Sequence, residues 1–159
     1  LDSAQLYPLI PKGSKTLVDF GSGAGFPALV LAILCENREE FPDLHISMIE
    51  STGKKCVFLQ TVATELDLKN VSIRNERVES GNKIKADVIT ARAVGNLEKL
   101  LSYSESYFGS ETVLLFPKGE RVAEELTQCA AHWKMDVIPH QSVTQDAAQI
   151  LEIRNISRV

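Results

Sequence analysis

Short apolar runs alternate with longer amphipathic stretches along this chain. Runs rich in β-prone residues predict strands at Thr16 to Phe20, His45 to Glu50, Val71 to Asn75, Ala86 to Ala91, Thr112 to Phe116, Met135 to Pro139 and Gln149 to Asn155. Apolar residues at helical spacing predict helices at Pro27 to Cys35, at Lys54 to Leu66, from Leu97 to Phe108 with Asn96 as cap, and within Gly119 to Trp133.

This alternation predicts an α/β fold, a Rossmann-like three-layer sandwich in which a mostly parallel sheet carries helices on both faces. The last two predicted strands are joined by the loop from His140 to Ala148. Strands so close in sequence favour an antiparallel hairpin, because a parallel crossover needs a longer connection. We therefore expect seven strands with an antiparallel C-terminal strand.

The length of 159 residues suits one domain, residues 1–159, with a continuous core. Hydrophobic residues make up 44% of the chain, and no stretch resembles a membrane span or a signal peptide. The three cysteines and three histidines are scattered, so neither a disulfide framework nor a metal site is expected. These features predict a cytoplasmic protein. The net charge of −4 argues against a broadly basic surface but leaves local nucleic-acid contacts open.

The most informative motif runs from Asp19 to Pro27 and reads Asp-Phe-Gly-Ser-Gly-Ala-Gly-Phe-Pro. It lies between a predicted strand and a predicted helix, where glycines permit a tight turn and close approach of a ligand to the backbone. A dinucleotide-binding turn needs a third glycine at the position of Phe26. Gly21, Gly23 and Gly25, preceded by Asp19, instead favour the cofactor loop of an S-adenosylmethionine-dependent methyltransferase.

Ligands of open α/β sheets bind beyond the carboxyl ends of the strands. At the end of the second strand this rule selects Glu50, whose carboxylate can accept hydrogen bonds from both ribose hydroxyls. Without the glycine loop, a lone acid at this position would be interpreted as a helix cap or a solvated residue. After the fourth and fifth strands it selects Arg92 and Lys118, residues that are ordinary surface charges in many proteins. The glycine loop is what turns these positions into site candidates.

Several segments in order along the chain carry a family resemblance. They are Leu1-Asp2-Ser3, Val18 to Pro27, Glu50-Ser51 with Lys54-Lys55 and Phe58-Leu59, Arg77-Val78-Glu79, Ala91-Arg92-Ala93, and Lys118-Gly119. The chain resembles the bacterial glucose-inhibited division protein B family, the guanine-N7 methyltransferases of small-subunit ribosomal RNA. That family carries a helical segment ahead of the Leu-Asp-Ser motif, which is absent here, and usually an aromatic residue where this chain has Val94.

The resemblance implies a class I methyltransferase fold, S-adenosylmethionine as cofactor, and 16S ribosomal RNA or the small ribosomal subunit as partner. Carried over by position, Gly21 and Phe26 line the cofactor, Glu50 takes the ribose, and Val78 and Glu79 border the adenine. No metal and no membrane association is implied.

The same resemblance places Arg92 on the cofactor side of the catalytic pocket and Lys118 toward the RNA. Guanine N7 has an in-plane lone pair that is unprotonated at neutral pH, so no general base is needed. Either cation could orient the base through guanine O6, an acceptor. Arg92 and Lys118 are therefore the catalytic candidates. Two alternatives stay open: a methyltransferase of small molecules, and a dinucleotide-binding or non-catalytic Rossmann-like module.

Overall fold

The computed structural model describes residues 1–80 and 84–159, and a single sheet runs through them. The strands are β1 Thr16–Phe20, β2 His45–Ile49, β3 Val71–Arg74, β4 Ala86–Ala91, β5 Phe108–Lys118, β6 Trp133–Gln141 and β7 Gln149–Arg158. The α-helices are α1 Ala28–Cys35, α2 Gly53–Glu65, α3 Leu97–Ser104 and α4 Val122–Cys129. Two 3-10 helices cover Ser3–Leu9 and Glu105–Tyr107.

The strand order across the sheet is β3-β2-β1-β4-β5-β7-β6. Neighbours from β3 to β5 pair in parallel, whereas β7 is antiparallel to both β5 and β6. The predicted seven-stranded sheet with an antiparallel C-terminal strand is thus confirmed. Strand order reverses between β1 and β4, which places the switch point of the sheet beside the glycine loop.

Two separate cores lie on opposite faces of the sheet, as side-chain alternation along a strand requires. Leu17 of β1 packs with α1, Leu59 of α2 and the first 3-10 helix, whereas Val18 packs with α3, Cys129 and Tyr107. The three-layer sandwich expected from the sequence is therefore present. None of the described helices combines the length and the apolar character that crossing a membrane requires.

Most element boundaries differ from the sequence prediction by a few residues, and three differences have a physical reason. The helix predicted to reach Phe108 ends at Ser104, because Phe108 pairs with Ala86 and begins β5. Pro27 caps α1 rather than forming its first turn. The 3-10 helix Ser3–Leu9 has no counterpart in the prediction; a proline within it, Pro8, obscured the helical pattern.

Candidate functional site

The glycine loop joins β1 to α1 and is fixed by backbone hydrogen bonds. The amides of Gly21 and Ser22 both donate to the carbonyl of Ile49, at 2.8 and 3.2 Å, which ties the loop to the end of β2. Gly21, Gly23 and Gly25 have φ angles of +63°, +53° and +93°. These backbone conformations favour glycine, so the sequence motif and the loop shape agree.

The three glycines differ in the space around them. A Cβ on Gly21 would lie 2.9 Å from Cγ2 of Val94, and one on Gly25 would overlap the side chain of Leu29. At Gly23 the nearest atom to such a Cβ is the carbonyl oxygen of Gly21 at 3.7 Å. Packing as well as φ thus disfavours a side chain at Gly21 and Gly25, while a Cβ at Gly23 would make only an ordinary van der Waals contact.

Asp19 lies beneath the loop and is completely buried. The hydroxyls of Ser22 and Thr90 donate to its two carboxyl oxygens, each at 2.6 Å. Burial raises the pKa of Asp19 to about 7, although both hydrogen bonds act in the opposite direction. Asp19 therefore joins β1, the loop and β4 from within. Its predicted contact with the cofactor stays a prediction.

Glu50 follows β2 and accepts backbone hydrogen bonds on both oxygens. The amide of Gly23 donates to Oε1 and that of Thr52 to Oε2, both at 2.9 Å. Burial raises the pKa of Glu50, but these amides and the charge of Lys55 outweigh burial and leave the pKa below its ordinary value. Glu50 is a carboxylate that shapes the glycine loop and keeps unused lone pairs.

A small recess of about 140 Å³ opens beside the loop. This glycine-loop recess is lined by Gly21, Ile49, Ser51, Glu76, Arg77, Val78, Glu79, Val94 and Tyr103. It brings together three residues predicted for the cofactor, Gly21, Val78 and Glu79. It also contains Val94, noted in the sequence only as a departure from the family, and Tyr103, which sequence reasoning missed. Five other residues predicted for the cofactor are not among the lining residues: Asp19, Gly23, Gly25, Phe26 and Glu50. Of these, the side chain of Phe26 is half-exposed.

A larger cavity of about 440 Å³ contains both predicted catalytic residues. We call it the Arg92 cavity; its lining includes Asp2, Arg92, Ala93, Gly95, Pro117, Lys118, Arg121, Glu125 and Gln149. A guanidinium nitrogen of Arg92 lies 3.5 Å from Oδ2 of Asp2, and both side chains are partly exposed. Arg92 is therefore loosely held and open to a ligand.

Lys118 lies in the same cavity under tighter restraint. Its ammonium group donates to the carbonyl of Gly95 at 3.1 Å and to Oε1 of Glu125 at 3.0 Å. The side chain is only 10% exposed. The structure thus brings the two catalytic candidates into one cavity but leaves them with different freedom to move.

One wall of the Arg92 cavity comes from chain segments far apart in sequence. The loop between β6 and β7 contributes Ser142, Gln145 and Ala148. The amide of Val143 in this loop donates to Oε1 of Gln5 at 2.7 Å. Sequence reasoning missed this wall, because no local pattern signals a contact over 138 residues.

The segment of residues 92–96 connects the two sites. Val94 lines the glycine-loop recess, whereas Ala93 and Gly95 line the Arg92 cavity. The segment follows β4, the strand next to β1. The recess and the cavity therefore share a wall at the carboxyl edge of the sheet, an arrangement that suits a cofactor and a substrate that must meet.

Comparison with known proteins agrees with this geometry. Residues 1–156 match the family described as GidB, rRNA small subunit methyltransferase G. The chain belongs to this family. It is 40% identical to the ribosomal RNA small subunit methyltransferase G of Paramagnetospirillum magneticum over 99% of this chain and 73% of the relative. The protein of the same name from Caulobacter vibrioides strain NA1000 is also 40% identical, over the whole of this chain and 71% of its own length.

Solved structures show the same fold at low sequence identity. The tRNA (m1A58) methyltransferase TrmI from Aquifex aeolicus superposes with a TM-score of 0.72 at 15% identity, covering 96% of this chain and 68% of that one. A SAM-dependent methyltransferase from the same organism gives 0.71 at 13% identity, covering 98% and 89%. The predicted class I methyltransferase fold is confirmed. Family and fold together identify methyl transfer from S-adenosylmethionine as the activity.

Proposed function

We propose that this chain, as one methyltransferase domain over residues 1–159, methylates N7 of a guanine in 16S ribosomal RNA. The observation that carries the proposal is the shared wall of the two sites. The glycine-loop recess suits the nucleoside of the methyl donor, and the Arg92 cavity beside it is wide and bears basic side chains. Membership of a family named for small-subunit rRNA supports this substrate class.

The residues of the recess and of the glycine loop beside it fit S-adenosylmethionine, which when bound supplies a methyl group made electrophilic by a sulfonium. Glu50 has lone pairs left after its bonds to Gly23 and Thr52, and these suit ribose hydroxyls. Val78 is nearly buried and offers an apolar wall, while Glu79 is exposed at the rim. The acids around this site also suit a cationic donor.

Positioning carries the catalysis in this proposal. An N7 lone pair attacks without prior loss of a proton, so the protein has to hold the base rather than activate it. Such orientation accounts for about 7 to 11 kcal/mol of the barrier in favourable reactions. Arg92 is the described cation of this cavity best suited to donate to guanine O6, because it is only loosely paired with Asp2 and begins the segment shared with the recess.

Other chemistries fit less well. Pyrimidine C5 methylation uses a cysteine nucleophile, but Cys35, Cys56 and Cys129 are all buried and burial raises the pKa of each thiol. None of the three lines the Arg92 cavity.

The exposed Arg121 at this cavity supplies local positive charge for a phosphate, although the chain as a whole is acidic.

The experiment is a methyl-transfer assay with labelled S-adenosylmethionine and three acceptors: 16S rRNA, intact small subunits, and a pool of small metabolites. We expect label in 16S rRNA, free or in the subunit. Borohydride reduction followed by aniline should then cleave the labelled RNA at one guanine, because N7 methylation weakens that nucleotide. Label only in metabolites would establish the small-molecule alternative, and label in RNA without this cleavage would exclude N7.

A further inference from the structure

The ammonium group of Lys118 is engaged inside the protein, although the residue lines the Arg92 cavity. An ammonium has three hydrogens to donate, and Lys118 directs two bonds to Gly95 and Glu125. The side chains of Lys118 and Glu125 are only 10% and 15% exposed. Leaving this pair to reach a substrate would strand the Glu125 carboxylate in a poorly solvated place.

Glu125 itself makes a second hydrogen bond, which links the ion pair to the start of α3. Its Oε1 also accepts the backbone amide of Leu97, at 2.8 Å, the first residue of α3. In the same first turn, the amide of Lys99 donates to the side chain of Asn96 at 2.9 Å. A carboxylate at the start of a helix is favoured by the helix dipole. Glu125 thus caps α3 while it pairs with Lys118.

The two bonds together fix the far end of residues 92–96. Lys118 holds the carbonyl of Gly95, and Glu125 holds the amide of Leu97. The segment between β4 and these anchors contains Ala93 at φ +56°, a conformation that a non-glycine residue adopts only when its surroundings enforce it. Val94, two residues from Arg92, packs over Gly21.

We propose that Lys118 and Glu125 are positioning residues that hold residues 92–96 between the two sites, and that Lys118 does not contact the substrate. Releasing this clamp displaces Val94 from Gly21 and Arg92 from its place in the cavity. Both cofactor affinity and turnover then fall. The effect on turnover rests on the proposed function, whereas the effect on the clamp does not.

The test compares Lys118→Met, Glu125→Gln and the double variant, with Glu124→Gln as matched control. Glu124 is the neighbouring exposed acid of α4, so its variant removes the same charge outside the clamp. Calorimetry with S-adenosylhomocysteine should show affinity about five- to tenfold weaker for each clamp variant, which lies within the range of coupled neighbours. The double variant should lose no more than the worse single one, and Glu124→Gln should match wild type.

Hydrogen exchange at the Leu97 amide gives a second reading that does not depend on cofactor binding. It should be faster in Lys118→Met and in Glu125→Gln but not in Glu124→Gln. If Lys118→Met fails to fold, Glu125→Gln decides the matter alone. Lost methyl transfer in Lys118→Met with unchanged cofactor affinity and unchanged Leu97 exchange would overturn the clamp and make Lys118 a substrate contact. A wild-type chain that binds no S-adenosylhomocysteine would count against the proposed function, and Leu97 exchange would still decide the clamp.

Discussion

The glycine-loop recess and the Arg92 cavity lie at the same edge of the sheet but are built in different ways. The recess is shaped largely by backbone: left-handed glycines, amides that donate to Glu50, and a buried Asp19 braced by two hydroxyls. The cavity is lined by charged side chains, and its best-placed cation, Arg92, is held by one long ion pair. A rigid backbone site suits a methyl donor that many enzymes share. A cavity lined by side chains suits a substrate that differs from one enzyme to another.

The largest expected effect separates chemistry from cofactor binding. Arg92→Ala should reduce turnover about a hundredfold, the usual loss when one charge-stabilising donor is removed. Its affinity for S-adenosylhomocysteine should stay close to wild type, because the side chain lines the cavity and not the recess. Arg121→Ala is the control, since that exposed cation lines the same cavity. Equal losses in the two variants would mean that Arg92 supplies only charge.

The next effect should fall on cofactor binding beside the glycine loop. Glu50→Gln weakens two backbone bonds and removes the charge, so affinity for S-adenosylhomocysteine should fall about ten- to a hundredfold, as expected for bonds to an ionised group. Glu79→Gln removes an exposed acid that lines the recess and should lower this affinity less than about threefold. Calorimetric titration measures both. A larger loss for Glu79 would make the rim, not the buried carboxylate, the main cofactor contact.

Asp19 makes the stability of the recess depend on pH. Its pKa is raised from 3.8 to about 7, so the folded chain holds the proton more tightly than the unfolded chain does. This contribution to the free energy of unfolding is fully present below about pH 3.8. Between the two pKa values it falls by about 1.4 kcal/mol per pH unit, and it is lost as the pH rises through 7. Asp19→Asn keeps a donor and an acceptor for the two hydroxyls and should remove this slope.

Urea unfolding of wild type and Asp19→Asn at pH 5, 6 and 7 measures the difference. The free energy of unfolding of Asp19→Asn, relative to that of wild type, should increase from pH 5 to 6 and again from pH 6 to 7. Parallel pH profiles would show that Asp19 is ionised throughout this range, and hence that its two hydroxyl donors outweigh burial.

The smallest effect distinguishes two glycines of one loop. Gly21→Ala and Gly23→Ala each force alanine to a positive φ, at a cost of about 1 to 2 kcal/mol. Gly21→Ala should cost roughly 1 kcal/mol more, because its Cβ meets Val94. In a Val94→Ala background, Gly21→Ala should lower the free energy of unfolding by less than it does in wild type. The effect of Gly23→Ala should be the same in both backgrounds. Chemical denaturation of the two glycine variants, Val94→Ala and the two double variants tests whether Val94 presses on the loop.

The sequence predicted the recess better than the cavity for a physical reason. Glycine spacing is a local signal, since the residues that need positive φ are those that form the turn. Strand positions were predictable as well, because most strands of this sheet are buried on both faces and read as apolar runs. Thr90, a polar residue within such a run, was a usable sign of a buried partner, and that partner is Asp19.

The cavity depends on contacts that no local pattern contains. The cavity is lined by Asp2, Arg92 and Glu125 only because the sheet and the last hairpin bring their segments together. The strand-end rule selected Arg92 and Lys118 but could not show that one is loosely held and the other is clamped. Burial and hydrogen-bond partners decide that distinction, and they belong to the folded chain.

The position of β7 has a consequence for how the chain matures. This strand follows β5 and β6 in the chain, yet it lies between them in the sheet. While the chain is being synthesised, β5 has an unpaired edge and β6 has no partner until β7 enters, and open edges of this kind invite pairing with other chains. The loop that walls the Arg92 cavity precedes β7 directly. The Arg92 cavity can therefore be completed only after the last strand has been synthesised and has entered the sheet.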